Sequence, residues 1–96
     1  MTAKISLPAA LKAVRKARGL SQEAFSDVSS RTYLSSLERG LKSPTLNKVG
    51  ELCEVMEIHP LTLLTLAYAG DVKGGTDKLL ARVQRELAAI EATPNG

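Results

Sequence analysis

One histidine, one cysteine and ten dispersed carboxylates are the side chains whose types first suggest acid–base catalysis or a metal site. They form no nucleophile–base pair and no ligand cluster, and no glycine-rich phosphate loop precedes a strand. An enzyme is not expected, nor a metal or cofactor. His59 stands directly before Pro60, where it reads as a helix cap. Cys53 falls on an apolar helical face as a small core residue. A single cysteine allows no intramolecular disulfide, which fits a reducing compartment. The chemistry that remains is cationic. Residues 1–48 hold nine Lys and Arg against Glu23, Asp27 and Glu38, a net +6, whereas residues 49–96 hold four basic and seven acidic side chains, a net −3. A basic half turned to a polyanion and an acidic half turned away is the charge division of a small nucleic-acid binder.

Helices must carry these cations. The composition is 44% hydrophobic but 3% aromatic, with no Trp and one Phe, so the core is aliphatic and the fold is expected to be all-α. Ninety-six residues make one domain with a short appendage. Six helical segments follow from apolar spacing and caps. The first runs from about Pro8 to Arg18 on Leu7, Leu11 and Val14 and stops at Gly19. The second opens at Ser21 with Glu23 in its first turn and Phe25 and Val28 inward. The third begins near Ser29 or Ser30 and ends at Gly40, with Leu34 and Leu37 inward. Thr45 caps a fourth whose apolar set is Leu46, Val49, Leu52, Cys53 and Met56, and His59 caps a fifth that ends at Gly70. Gly50 in the fourth is explained most simply by a close helix contact. Residues 1–70 thus form a five-helix domain, 71–75 a flexible linker, and 76–96 a last helix capped by Thr76. No stretch approaches the length of a membrane span and the N-terminus lacks a signal peptide's apolar core, so a cytoplasmic location is expected.

Two short amphipathic helices separated by almost nothing, in a basic context, form the pattern of a helix-turn-helix. At this point the sequence resembles the phage repressor/Cro-like (XRE) helix-turn-helix family. The resemblance rests on Leu11-Lys12-Ala13-Val14-Arg15, on Gly19-Leu20-Ser21-Gln22-Glu23, on Tyr33-Leu34-Ser35-Ser36-Leu37-Glu38-Arg39-Gly40, and on Ser43-Pro44-Thr45-Leu46. It covers about residues 7–66. It implies a repressor-like fold and double-stranded DNA as the partner, with the third helix, about 30–39, in the major groove. It implies that Gln22 reaches a phosphate or supports a base contact, and that backbone N–H groups at the start of the second helix point at the sugar-phosphate chain. Ser30, Arg31, Thr32, Ser35 and Ser36 then occupy the outward face of the recognition helix, where Arg31 can donate to guanine O6 and N7 and Thr32 can meet a thymine methyl. Tyr33 is partly packed with its hydroxyl toward a phosphate, Lys42 and Ser43 touch phosphates from the following loop, and Arg39 serves either purpose. Arg15 and Glu38 match the family's internal ion pair, a structural role. The connection Asp27-Val28-Ser29-Ser30-Arg31 departs from the family: it is about two residues shorter and has no Gly.

The last helix carries Leu80, Val83, Leu87 and Ile90 at alternating steps of three and four. This stripe is too short for an isolated coiled coil but wide enough to fold back on its own domain or to meet a partner subunit; of the two, self-association is favoured, so a homodimer or higher homo-oligomer reading two half-sites is expected. The principal reading is a sequence-specific transcriptional regulator, most simply a repressor. The alternatives are a DNA-binding antitoxin whose tail caps a toxin, and a protein-interaction module that has lost DNA binding.

Overall fold

Leu7, Leu11 and Val14 give the first helix one apolar face, and Pro8 sits in its first turn, where a missing N–H costs nothing. The computed structural model describes residues 6–70 and 73–93; the described part is all-helical, with no strand. The helices are α1 (Leu7–Ala17), α2 (Arg31–Glu38), α3 (Leu46–Met56), α4 (Pro60–Ala69) and α5 (Gly75–Ala92). Between α1 and α2 the second expected helix is a single 3₁₀ turn, Gln22–Phe25. Its chain continues through Val28 and Ser29 N–H bonds to the Phe25 carbonyl. The short connection leaves no length for a full α-helix, so tighter i→i+3 turns close it instead.

Phe25 is fully buried and forms the centre of the core with Leu11, Leu34, Leu37, Leu52, Met56 and Leu63. Cys53 packs among them; burial pushes its thiol pKa up, which disfavours the reactive thiolate. α4 packs across α1, and the Ser6 N–H donates to the Ala67 carbonyl at 3.1 Å. His59 caps α4 as expected, its Nδ1 accepting the Leu61 N–H at 3.0 Å. Thr45 caps α3 by accepting the Lys48 N–H.

Three helices end in the same Schellman arrangement. After α1 the Leu20 N–H reaches the Arg15 carbonyl, after α2 the Leu41 N–H reaches Ser36, and after α3 the Ile58 N–H reaches Cys53. The left-handed residue is Gly19 and Gly40 in the first two but Glu57, at φ 59°, in the third. Conversely, a Cβ placed on Gly50 meets nothing within 4 Å among the described residues, so the close helix contact expected there is absent. Glycine therefore stands where the helix does not need it and is missing where the turn does. Gly50→Ala is expected to raise stability by about 0.5–1 kcal/mol, and Glu57→Gly by about 1 kcal/mol. Both are checked by denaturant midpoints at unchanged m-value.

α5 lies against α4. Its first residue is Gly75 and its cap is Gly74 in the left-handed region, so Thr76 is not the cap. Of the expected linker, Asp71 and Val72 lie outside the described residues, as do residues 1–5 and 94–96. No described helix is long and apolar enough to cross a membrane.

Candidate nucleic-acid interface

α2 has two faces. Leu34 and Leu37 turn into the core, while Arg31, Thr32 and Arg39 are exposed and Ser35 is half-buried. Arg31, Ser35 and Arg39 are four residues apart, so they share one stripe, with Thr32 beside it. Ser30 is the N-cap, its Oγ accepting the Tyr33 N–H at 3.1 Å. The shortened turn thus places the start of the helix at Arg31, which settles the choice between Ser29 and Ser30. Ser36 corrects the expected outward face: only 8% exposed, it donates its hydroxyl to the Thr32 carbonyl at 3.0 Å. At four residues past Thr32 it lies beside Leu37 on the inner side, and the back-bond to the preceding turn satisfies its hydroxyl.

α2 is tied down at its C-terminal end, and the connection that leads into it is held from α3. At its C-terminal end Glu38 accepts from Arg15 Nε at 2.6 Å and from its terminal nitrogen at 3.0 Å, a bidentate pair between α1 and α2. The side chains retain 11% and 4% exposure, so the pair is screened from water. The hydrogen bond to Glu38 raises the Arg15 pKa further above its ordinary value, against the opposing effect of burial. Arg15 also donates to the Leu20 carbonyl at 2.9 Å. Gln22 joins the same cluster: its Nε2 donates to Glu38 at 3.2 Å, and its side chain is half-buried. The expected anchoring N-terminus of a second helix is reduced to a four-residue 3₁₀ turn, too short for an appreciable dipole. In the connection before α2, the Lys48 ammonium of α3 donates to the Val28 carbonyl and pairs with Glu51 at 2.8 Å.

Sequence reasoning missed Lys48. Its partner Val28 lies twenty residues away, so only the i,i+3 pair with Glu51 was visible in the chain. It placed Glu23 in a helix's first turn but missed its pairing with Arg31, which it meets at 3.4 Å with the two side chains 75% and 71% exposed. A pair this exposed is worth at most about 1 kcal/mol, so it does not hold Arg31 back from a stronger partner. Lys42 is exposed, with its ammonium 5.8 Å from the centre of the half-buried Tyr33 ring. Ser43 is exposed in the loop after α2. Arg31, Arg39 and Lys42 therefore form the cationic rim of the α2 surface, while Arg15 and Lys48 are committed to internal contacts.

A family model described as helix-turn-helix matches residues 11–63, more than half of the chain. No match was found among curated proteins or among solved structures. The matched span runs from Leu11 of α1 through the 3₁₀ turn, α2 and α3 to Leu63 of α4.

Proposed function

Because this chain belongs to the Cro/C1-type helix-turn-helix family and is a DNA-binding regulator, we propose that it is a sequence-specific transcriptional repressor. It acts in the cytoplasm without catalysis, and it self-associates so that two copies of α2 enter successive major-groove faces. One observation carries the reading. The outward stripe of Arg31, Thr32, Ser35 and Arg39 runs along a helix and its C-cap whose anchoring contacts use none of those four side chains. Eight residues make α2 about 12 Å long, a length that fits the major groove with its N-terminal turn toward the base edges. Arg31 supplies two parallel donors for guanine, and Thr32 a methyl for thymine. Arg39 and Lys42 sit where phosphates flank an inserted helix and fix its register.

Selection of bound sites from a random oligonucleotide pool tests this reading. The expected result is an inverted pair of short half-sites whose centres lie about 10 base pairs, or a multiple of that, apart. A pool that fails to enrich any sequence would sink it. Lys42→Ala is expected to weaken binding to cognate and unrelated duplexes alike and to reduce the slope of log K against log salt by about one. An unchanged slope would remove Lys42 from the phosphate rim.

A further inference from the structure

The connection into α2 turns without a left-handed residue. It contains no glycine, and no residue from Gln22 to Glu38 has a positive φ. Instead the chain folds over one acceptor, the Phe25 carbonyl, which takes both the Val28 and the Ser29 N–H at 2.9 Å. The Val28 carbonyl itself receives no backbone N–H among the described residues. Its donor comes from another element, as the Lys48 ammonium of α3. Lys48 is held in that place from two sides. Thr45 Oγ1 accepts its backbone N–H at 3.1 Å, and Glu51 pairs with its ammonium, leaving the side chain 26% exposed. α3 also packs on the 3₁₀ turn, and the Val28 side chain is half-buried against the core. Val28 is therefore fixed by its side chain in the core and by its carbonyl on α3. Two residues later comes Ser30, the cap of α2, and then Arg31.

We propose that Lys48 is a positioning residue for recognition: it sets where the first turn of α2 stands, and so where Arg31 meets the base edges, without touching DNA itself. The inference rests on the functional reading above and adds a specificity determinant to it. A guanidinium makes two parallel bonds to guanine O6 and N7 only when its backbone root is correctly placed. A phosphate contact carries no such demand and no sequence information. A small shift of Ser30 and Arg31 therefore costs base preference before it costs general attraction to the duplex. The charge of Lys48 is matched by Glu51 within its own helix, so the pair as a whole adds nothing to the cationic rim.

The charge-neutral double variant Lys48→Met with Glu51→Gln tests this in the full chain. Its affinity is measured for the selected cognate site and for an unrelated duplex, each at several salt concentrations. The ratio of the two affinities is the readout, because a partly unfolded preparation lowers both by the same factor. The ratio is expected to fall by at least about 10-fold, within the discrimination one bidentate base contact supplies. Affinity for the unrelated duplex and the salt slope should stay at their wild-type values. Glu51→Gln alone, which leaves the ammonium on Val28, should keep the ratio. Added to Arg31→Ala, the double variant should cost little further preference, since Lys48 acts through Arg31. Three results would overturn the inference: an unchanged ratio, an equal loss from Glu51→Gln alone, or full additivity with Arg31→Ala. So would a uniform loss on both duplexes with the slope reduced by about one, which would make Lys48 a phosphate contact. Each of these leaves DNA recognition standing, whereas a selection that enriches no site sinks the functional reading and this inference with it.

Discussion

Replacing Glu38 with alanine is expected to remove about 3–5 kcal/mol of folding stability, the loss seen when one member of a buried ion pair is deleted. The Arg15 guanidinium would remain in a site where its side chain keeps 11% exposure, with the Leu20 carbonyl as its remaining partner. It cannot escape by losing its proton, since an arginine stays charged at any pH the fold survives. The Gln22 amide would lose its acceptor in the same stroke. Chemical denaturation measures the loss, and in a domain of this size each kcal/mol also lowers the melting midpoint by about 4–8 °C. Glu38→Gln, which keeps the shape and one acceptor, should fall between wild type and Glu38→Ala. The double change Arg15→Met with Glu38→Leu should be far milder than Glu38→Ala, because it leaves no charge behind. A loss under about 1 kcal/mol for Glu38→Ala would mean that the pair behaves like an exposed one.

Arg31→Ala should leave stability nearly unchanged and act on recognition. Its partner in the free protein, Glu23, is 75% exposed and needs no compensation when the pair is broken. On the cognate site the expected loss is about 1–3 kcal/mol, with relaxed preference at a single base position and little change on unrelated DNA. Competition binding against a panel of single-base operator variants separates these effects. Wild-type affinity and preference in that panel would show that the helix meets DNA with other side chains. Uniform weakening on every duplex would reassign Arg31 to a phosphate. Glu23→Gln is a useful companion, since it removes a carboxylate from the same surface and should strengthen binding on all sequences modestly.

Much of this was visible along the chain because it depends on local rules. Thr45 and His59 were readable as caps from their types and neighbours, the start of α2 as Ser29 or Ser30, and Leu34 and Leu37 as inward from their spacing. The second helix was not, because period and cap signals do not reveal whether a short segment closes as α or 3₁₀; the length of the connection to α2 decides that. Ser36 was placed outward on the family resemblance. Its burial follows from a hydroxyl small enough to satisfy itself on the previous turn of the same helix. Gly50 and Glu57 show a different limit. Which of the two backbones needs glycine depends on a φ angle and on neighbouring helices, neither of which is written in residue type. Lys48 marks the third gap: its contact with the Val28 carbonyl joins segments far apart in sequence.

The separate fastening of α2 has an evolutionary consequence. Its C-terminal end is bolted to α1 through Arg15 and Glu38, and the connection before it is propped from α3 through Lys48, while Arg31, Thr32, Ser35 and Arg39 lend no side chain to either joint. Those four positions are free to drift in identity while the scaffold stays put. A descendant of this protein could acquire a new operator by exchanging a few side chains, with no need to fold anew.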